Sequence, residues 1–365
     1  MKTTLIILLT LWGLNQTAFS EDEKSLFNLK DKPAGPRFTL SPERVWPAEP
    51  GVPVVCLWSG DKYAAVSITI DDNWAPNHEW WANITKELDL QVTWFVITER
   101  VGTGPQWGTW EGFRELAAAG HSIQSHTATH LRVNDEWQGI EWEYSASRKT
   151  LEENIPGQPL LALAYPGGKN SGHNDRKVAE KYYITARGGV GKPNLANRID
   201  YLQTNSAKIS RAYVDSVLKG TSEISWLGNG QYKRAWLSAH FHGVTGDFIQ
   251  QTEEDLRYLK GHEADLWIAP FEEVARYGQQ RDTHTLTQTE NSPTRIRFEL
   301  SDQMQDDIYN LPLTIKIKLP GDWNSARAKQ GDQLLEVKTV AHEGQKYALI
   351  PAVPDRGEVI VIPGA

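Results

Sequence analysis

From residue 54 to about residue 280, short apolar runs alternate with longer amphipathic segments. The runs are "AAVSITI" (64–70), "VTWFVI" (92–97), "HSIQS" (121–125), "LLALAYP" (160–166), "YYITA" (182–186), "AWLSAHF" (235–241) and "DLWIAP" (265–270). Between them, "NHEWWANITKELD" (77–89), "TWEGFRELAAAG" (109–120) and "SASRKTLEENI" (145–155) read as helices. Phe113, Leu116 and Ala117 share a face at helical spacing, and Gly120 stands where a C-cap is expected. Strands alternating with helices build a parallel sheet, since each connection must cross a sheet face before the next strand can run the same way. Seven repeats favour closure into an α/β barrel. In such folds the chemistry gathers where strands end and loops begin. Asp71 and Asp72 follow the first run, His126 and His130 the third, "YPGG" closes the fourth, and His242 follows the sixth.

The flanks have a different texture. "MKTTLIILLTLWGLNQTAFS" places Lys2 before an apolar stretch too short for a bilayer, which takes about 20 residues. Ala18 and Ser20 are small residues at the positions a signal peptidase inspects. Residues 1–20 therefore read as a signal peptide, and the mature chain is expected to be secreted or periplasmic, with no membrane span. Residues 21–53 are polar and proline-rich, an irregular lead-in that wraps the domain formed by residues 54–284. Beyond it, "TRIRFEL", "LTIKIKLP", "LLEVKTV", "KYALIPAV" and "GEVIVIP" alternate apolar with polar residues. Residues 285–365 thus form a small all-β, sandwich-like domain, read as a structural appendage. Cys56 is the one cysteine; it cannot form an internal bridge and sits in an apolar run as a small buried hydrophobe. A formal charge of -8 offers no basic face to a nucleic acid. The 15 tryptophans suit a sugar-binding surface as well as a core.

"GHSIQSHTATH" holds His121, His126 and His130, where an even spread of ten histidines over the chain puts about 0.3 in such a window. On a helical turn or a tight loop, the spacing of His126 and His130 lets both imidazoles reach one ion, at about 2.0–2.1 Å. A third, anionic ligand from the Asp71–Asp72 pair would complete the site. The cation would relieve the repulsion between the two carboxylates. The other Asp would then stand free as a general base beside a water whose pKa the metal lowers from about 15.7 towards 7.

These segments resemble the polysaccharide deacetylases, carbohydrate esterase family 4. "SITIDDNW" is similar to the family's T-F-D-D motif with Ile70 in place of Phe, and "HTATH" to its H-[ST]-x-x-H motif. "ASRKTLEENIPGQPLLALAYPGG" resembles the unit ending in Y-P-x-G, and "EKYYITAR", "WLSAHFHGV" and "DLWIAPFEEVARYGQQR" follow in family order. The resemblance spans roughly residues 60–282. It implies a distorted (β/α)7 barrel that removes acetyl groups from sugars. By it, Asp71 is the general base, and Asp72, His126 and His130 hold one divalent ion, zinc first, with Co2+, Ni2+ or Mn2+ as alternatives. His242, in the L-x-H register, is the general acid, and His240 at the Leu position lines the acetyl pocket or is a hydrogen-bonded strand histidine with no chemical role. An oxyanion donor falls near Tyr165 and Gly167, since Pro166 has no N–H. Trp74, Trp80, Trp81, Trp107 and Trp110 lie near the mouth or on adjoining helices; some of them, Trp74 first, are expected to stack on sugar, with Trp80 and Trp81 read alternatively as helix core.

Two departures stand out. Ala164 and Tyr165 occupy the stretch where the family carries an arginine that orients the base. The acidic-Trp fourth motif has no counterpart in "ARGGVGKPNLANRIDYLQ". Arg187, grouped with the oxyanion and substrate-binding residues, is the candidate replacement. The implied substrate is an acetylated carbohydrate, N- or O-linked. A same-fold amidohydrolase acting on a non-sugar amide and a non-catalytic carbohydrate-binding barrel are the alternatives.

Overall fold

A computed structural model describes residues 35–132, 139–168, 173–189 and 191–364. Residues 1–20, expected from the sequence to be a signal peptide, and residues 21–34 of the lead-in lie outside the described residues. Strand β1 (Pro53–Val55) precedes the first barrel strand, β2 (Ala64–Ile70). There follow α1 (His78–Glu87), β3 (Thr93–Val96), α2 (Trp110–Ala118), β4 (Ser122–Ser125), α3 (Ile140–Asn154), β5 (Ala162–Ala164), α4 (His173–Tyr182) and β6 (Thr185–Arg187). Then come α5 (Arg211–Leu218), β7 (Trp236–Phe241), α6 (Asp247–Lys260), β8 (Leu266–Ile268) and α7 (Phe271–Thr283). Each apolar run seen in the sequence contains or overlaps a strand. Every residue of β2 is buried, because helices cover one face of a parallel sheet and the barrel interior the other. Thr109 starts α2 by accepting the Gly112 N–H on its side chain (3.2 Å), and Gly120 follows the helix with φ +92°.

The parallel strands lie in the order β6-β5-β4-β3-β2-β7, with β8 on β2 as well. One edge of β2 is shared: its lower residues, Ala64–Val66, pair with β8, and Thr69 and Ile70 pair with β3. The gap between β6 and β7 is bridged by residues 204–207, where Thr204 pairs with Arg187 and Ala207 with Ala239, both parallel. The ring is thus seven strands closed by an irregular segment, which is the distortion of the barrel. All C-terminal strand ends open on one rim.

After α7 the chain builds β9 (Thr285–Ser292), β10 (Arg295–Ser301), β11 (Leu313–Lys318), β12 (Ala326–Gln330), β13 (Gln333–Leu335), β14 (Lys338–His342), β15 (Gln345–Ala352) and β16 (Val359–Pro363). They form two antiparallel sheets, β13-β12-β16-β10-β9 and β1-β11-β15-β14. Two features differ from the sequence reading. Pro53–Val55, placed at the border of lead-in and barrel, is an edge strand of the second sheet, paired with Ile315–Ile317. The sheets also share one apolar cluster with the barrel, joining Ile296, Phe298, Ile315 and Ile350 to Phe95, Trp236 and Phe271. The lead-in seals the join. Trp46 stacks on His342 (4.1 Å between ring centres), and buried Lys316 lies 3.7 Å over its ring while pairing with Asp61 at 2.5 Å.

Helix α7 lies between the two bodies and is buried along almost its whole length, although it reads "FEEVARYGQQRDT". Its polar side chains bind backbone on both sides. Gln279 donates to Ile184 O (3.1 Å), Gln280 to Leu311 O (3.1 Å) and Arg281 to Ala196 O (2.8 Å) and Leu57 O (2.9 Å). Glu272 gets no such partner in full. Thr93 Oγ1 reaches it only at 3.4 Å, and burial pushes its carboxyl up to about 7. In the unfolded chain a Glu ionises near 4.3. The native state therefore binds the extra proton, so this contribution to stability is full below about pH 4 and is lost as pH rises through about 7. Thermal melts from about pH 5 to about pH 8 should show the wild-type Tm falling more steeply than that of Glu272→Gln. Parallel curves for the two proteins would show that Glu272 does not titrate there.

Candidate active site

The rim site is built first by the end of β2. Asp71 N–H still donates to Phe241 O of β7 (2.8 Å), and the Asp71 side chain is buried. Asp72 and Asn73 then turn off the sheet with φ +62° and +58°. The left-handed region costs an L-residue about 1–2 kcal/mol. The Asn73 side chain offsets that by clamping the end of β3. Its Oδ1 accepts Ile97 N–H (2.7 Å), and its Nδ2 donates to Ile97 O (3.1 Å) and Trp107 O (3.3 Å).

The end of β4 supplies the histidines. His126 N–H extends the ladder to Val96 O (2.9 Å), and the "HTATH" segment is a tight loop in which Thr127 (φ +67°) and His130 (φ +65°) are left-handed. Its hydroxyls close it: Thr127 Oγ1 accepts His130 N–H (3.1 Å), and Thr129 N–H and Oγ1 both donate to the buried Glu143 of α3 (2.9 and 2.5 Å). His126 Nδ1 lies 2.8 Å from Ala164 O. A carbonyl only accepts, so Nδ1 carries the proton and Nε2 faces the site.

His126 Nε2 is 3.4 Å and His130 Nε2 3.2 Å from Asp72 Oδ1. Asp72 Oδ1 is buried and has no hydrogen-bond partner. Among the described residues these three form the one group whose ligand atoms all lie within 4.8 Å of each other. Ligand atoms around a tetrahedral ion with bonds of about 2.0–2.1 Å stand about 3.3 Å apart. The two N···O spacings match that, and an orphaned buried oxygen between two imidazoles is costly without a cation. The residues fit a small divalent ion.

Beside this triad lies a buried ion pair. Arg187 Nη2, from the end of β6, donates to Asp71 Oδ2, and Nη1 donates to Ser206 Oγ (3.2 Å). The guanidinium carbon sits 5.3 Å from the Phe95 ring centre. Burial pushes the Asp71 carboxyl up, but Arg187, His126, His242 and His240 together outweigh it and hold it below the usual carboxylate range. On the other side, His242 Nε2 stands 3.9 Å from Asp71 Oδ2 and 3.6 Å from Asp72 Oδ2, with its side chain 54% exposed. A buried carboxylate paired with an arginine, three converging side chains that could hold a cation and an accessible imidazole thus share one rim.

Residues 60–186 match the family model for polysaccharide deacetylase. That span holds Asp71, Asp72, His126 and His130 and stops one residue short of Arg187. Residues 60–186 belong to the polysaccharide deacetylase family. Two curated relatives align with the chain. A gellan lyase from Bacillus sp is 31% identical over 377 aligned residues, covering 96% of this chain and 15% of that protein. A putative polysaccharide deacetylase, YxkH, from Bacillus subtilis (strain 168) is 31% identical over 116 residues, 32% of this chain and 41% of that one. The chain therefore spans less than half the length of either relative. Among solved structures, Streptococcus pyogenes deacetylase PplD in complex with acetate is similar at 24% identity with a TM-score of 0.35, over 39% of this chain and 63% of that chain.

Within the deacetylase domain the remaining sequence-assigned residues divide. Tyr165 is a correction: its N–H donates to Arg187 O (2.9 Å), its hydroxyl to Leu202 O (3.0 Å), and its ring is buried. The β5–β6 ladder takes that N–H, so Tyr165 has none to offer an oxyanion. Gly167 stays at the rim with φ +75°. Arg187 turns to Asp71 rather than to the open cleft. His240 Nδ1 is buried without a hydrogen-bond partner, and burial, aided by Arg187, lowers its ring to about 4, so it is neutral at pH 7. Trp74 lies flat on Gly243, where a Cβ would meet its ring at 2.4 Å. Trp81 is core, packed on Phe241, and Trp107 carries Arg100 on its face at 4.5 Å. Sequence reasoning missed Asn73, Glu143 and Ser206. Only Asn73 left a trace, as a residue that tolerates φ > 0 directly after two acids.

Proposed function

We propose that this chain is an exported, metal-dependent hydrolase that removes N- or O-acetyl groups from a polymeric carbohydrate. The observation that carries this is the meeting of Asp72, His126 and His130 next to the Asp71–Arg187 pair, with His242 facing them. Asp72, His126 and His130 would hold the divalent ion, with zinc favoured by the two-imidazole, one-carboxylate set and Co2+, Ni2+ or Mn2+ as alternatives. Such an ion supplies Lewis acidity and makes water acidic. Asp71 takes the proton of the attacking water, kept ionised and aimed by Arg187. The N–H of Gly167 is the donor offered to the developing oxyanion. His242 hands a proton to the departing sugar nitrogen or oxygen. His240, neutral, lines the acyl pocket, and Trp74 borders it. Export rests on residues 1–20. The name of the gellan lyase relative, which aligns with barrel and sheets alike, supports a polymeric glycan over a small cyclic amide. Among the described residues no helix is long and apolar enough to cross a membrane.

The test is acetate release from a panel of acetylated glycans. Stripping with a chelator should abolish release, and adding back zinc, cobalt or manganese should restore it. Full metal loading with no acetate from any N- or O-acetylated glycan would overturn the reading.

A further inference from the structure

Three cationic side chains stand on the same rim as the site, each on a loop that leaves a strand's C-terminal end. Arg100 follows β3, lies within electrostatic reach of His130, and rests on the Trp107 ring. Arg132 comes two residues after His130 and crosses the turn at Gly167, where a Cβ would meet its Nε at 2.9 Å. Lys208 follows the segment that closes the barrel, lies within reach of His240, and has its Nζ 5.5 Å from the ring centre of Phe248, itself 52% exposed. Cations elsewhere on the helices, such as Arg114, Arg148 and Arg257, hold carboxylates at 2.7–2.8 Å. Among the described residues no carboxylate pairs with Arg100, Arg132 or Lys208, although Glu99, beside Arg100, is exposed. The chain as a whole carries -8, so three cations without carboxylate partners around the site run against the overall charge.

Resting on the deacetylase reading above, we infer that the substrate is an anionic glycan, one whose acetylated repeat carries acidic groups that Arg100, Arg132 and Lys208 receive. A guanidinium fork takes a carboxylate through two parallel N–H···O bonds, and an aromatic plane beneath a cation offers a sugar ring a surface to lie on. Carboxylates of uronic acids and sulfate esters present the same chemistry to such a rim. Gly167 is part of the arrangement, since any side chain there would push Arg132 off the turn.

The experiment compares acetate release by the metal-loaded protein from an O-acetylated polyuronide and from a neutral glucan acetylated to the same degree. The kcat/KM ratio should favour the polyuronide. It should fall about tenfold when ionic strength rises from about 0.01 M to about 0.15 M, which shortens the Debye length from about 30 Å to about 8 Å. A combined R100Q/R132Q/K208Q variant should show the low ratio at both salt levels. Affinity electrophoresis in gels containing de-acetylated polyuronide, sulfated glycan or neutral glucan reads the cations without turnover. Retardation by either acidic polymer, lost in the triple variant, supports the rim, and the polymer retained identifies the acid. A ratio near one that ignores both salt and substitutions, or no retardation by any acidic polymer, overturns the inference. Acetate from neither substrate alongside retardation by an acidic polymer would instead sink the deacetylase reading and leave the anionic ligand standing.

Discussion

Asp71→Asn should keep its divalent ion and lose about 10²–10⁴ of kcat, the range a positioned general base contributes. The side chain sits beside the metal triad without being part of it, since Asp72 Oδ1 is the oxygen that meets both His126 and His130. Asn has nearly the same shape and still offers Arg187 an oxygen, but it cannot accept a proton from water at neutral pH. Metal content by elemental analysis and kcat on an acetylated glycan should therefore part company: the first near one equivalent, the second nearly gone. Loss of the ion would make Asp71 a ligand, and activity within a few-fold of wild type would remove it as base. Either outcome contradicts the assignment.

The site's ligands were legible in the sequence, and its geometry less so. Parallel strands buried on both faces are written as unbroken apolar runs, so β2 and β7 announce themselves, and acids or histidines immediately after such runs must fall on one rim. Nothing local announces that Arg187 meets Asp71. They are 116 residues apart and four strands apart along the sheet path, and only closure of the ring brings them together. Strands β9 and β12 left no signal either. β9 is an edge strand that alternates exposed with half-buried residues and has no core face, and β12 turns inward only two small alanines and a polar Gln330. Helix α7 reads as a solvated surface helix, because "EE", "QQR" and Arg276 are polar. It is buried because those groups satisfy backbone atoms of both barrel and sandwich, a role that only the assembled partners reveal.

Arg187→Met should cost about 3–5 kcal/mol, the penalty for leaving one member of a buried ion pair without the other. The guanidinium and the Asp71 carboxylate are both buried, and the remaining Arg187 contact is with Ser206. Met fills much of the space above Phe95, so packing loss is small beside the electrostatic penalty. The pH dependence has a definite sign. In the wild type Asp71 is held below its ordinary pKa, so its contribution is present above about pH 4 and disappears as pH falls lower. Without Arg187, burial is opposed only by the weaker pull of His126, His242 and His240, so the carboxyl rises and the variant is penalised increasingly as pH climbs above about 4. The stability gap between the two proteins should widen from about pH 5 to about pH 8 in urea unfolding. In Arg187→Met/Asp71→Asn no charge is stranded, so the double variant should be more stable than Arg187→Met alone, even though it carries one more substitution. If the double variant is instead less stable by the sum of the two single losses, Arg187 and Asp71 act on the fold independently, and the arginine cannot be what keeps the base ionised.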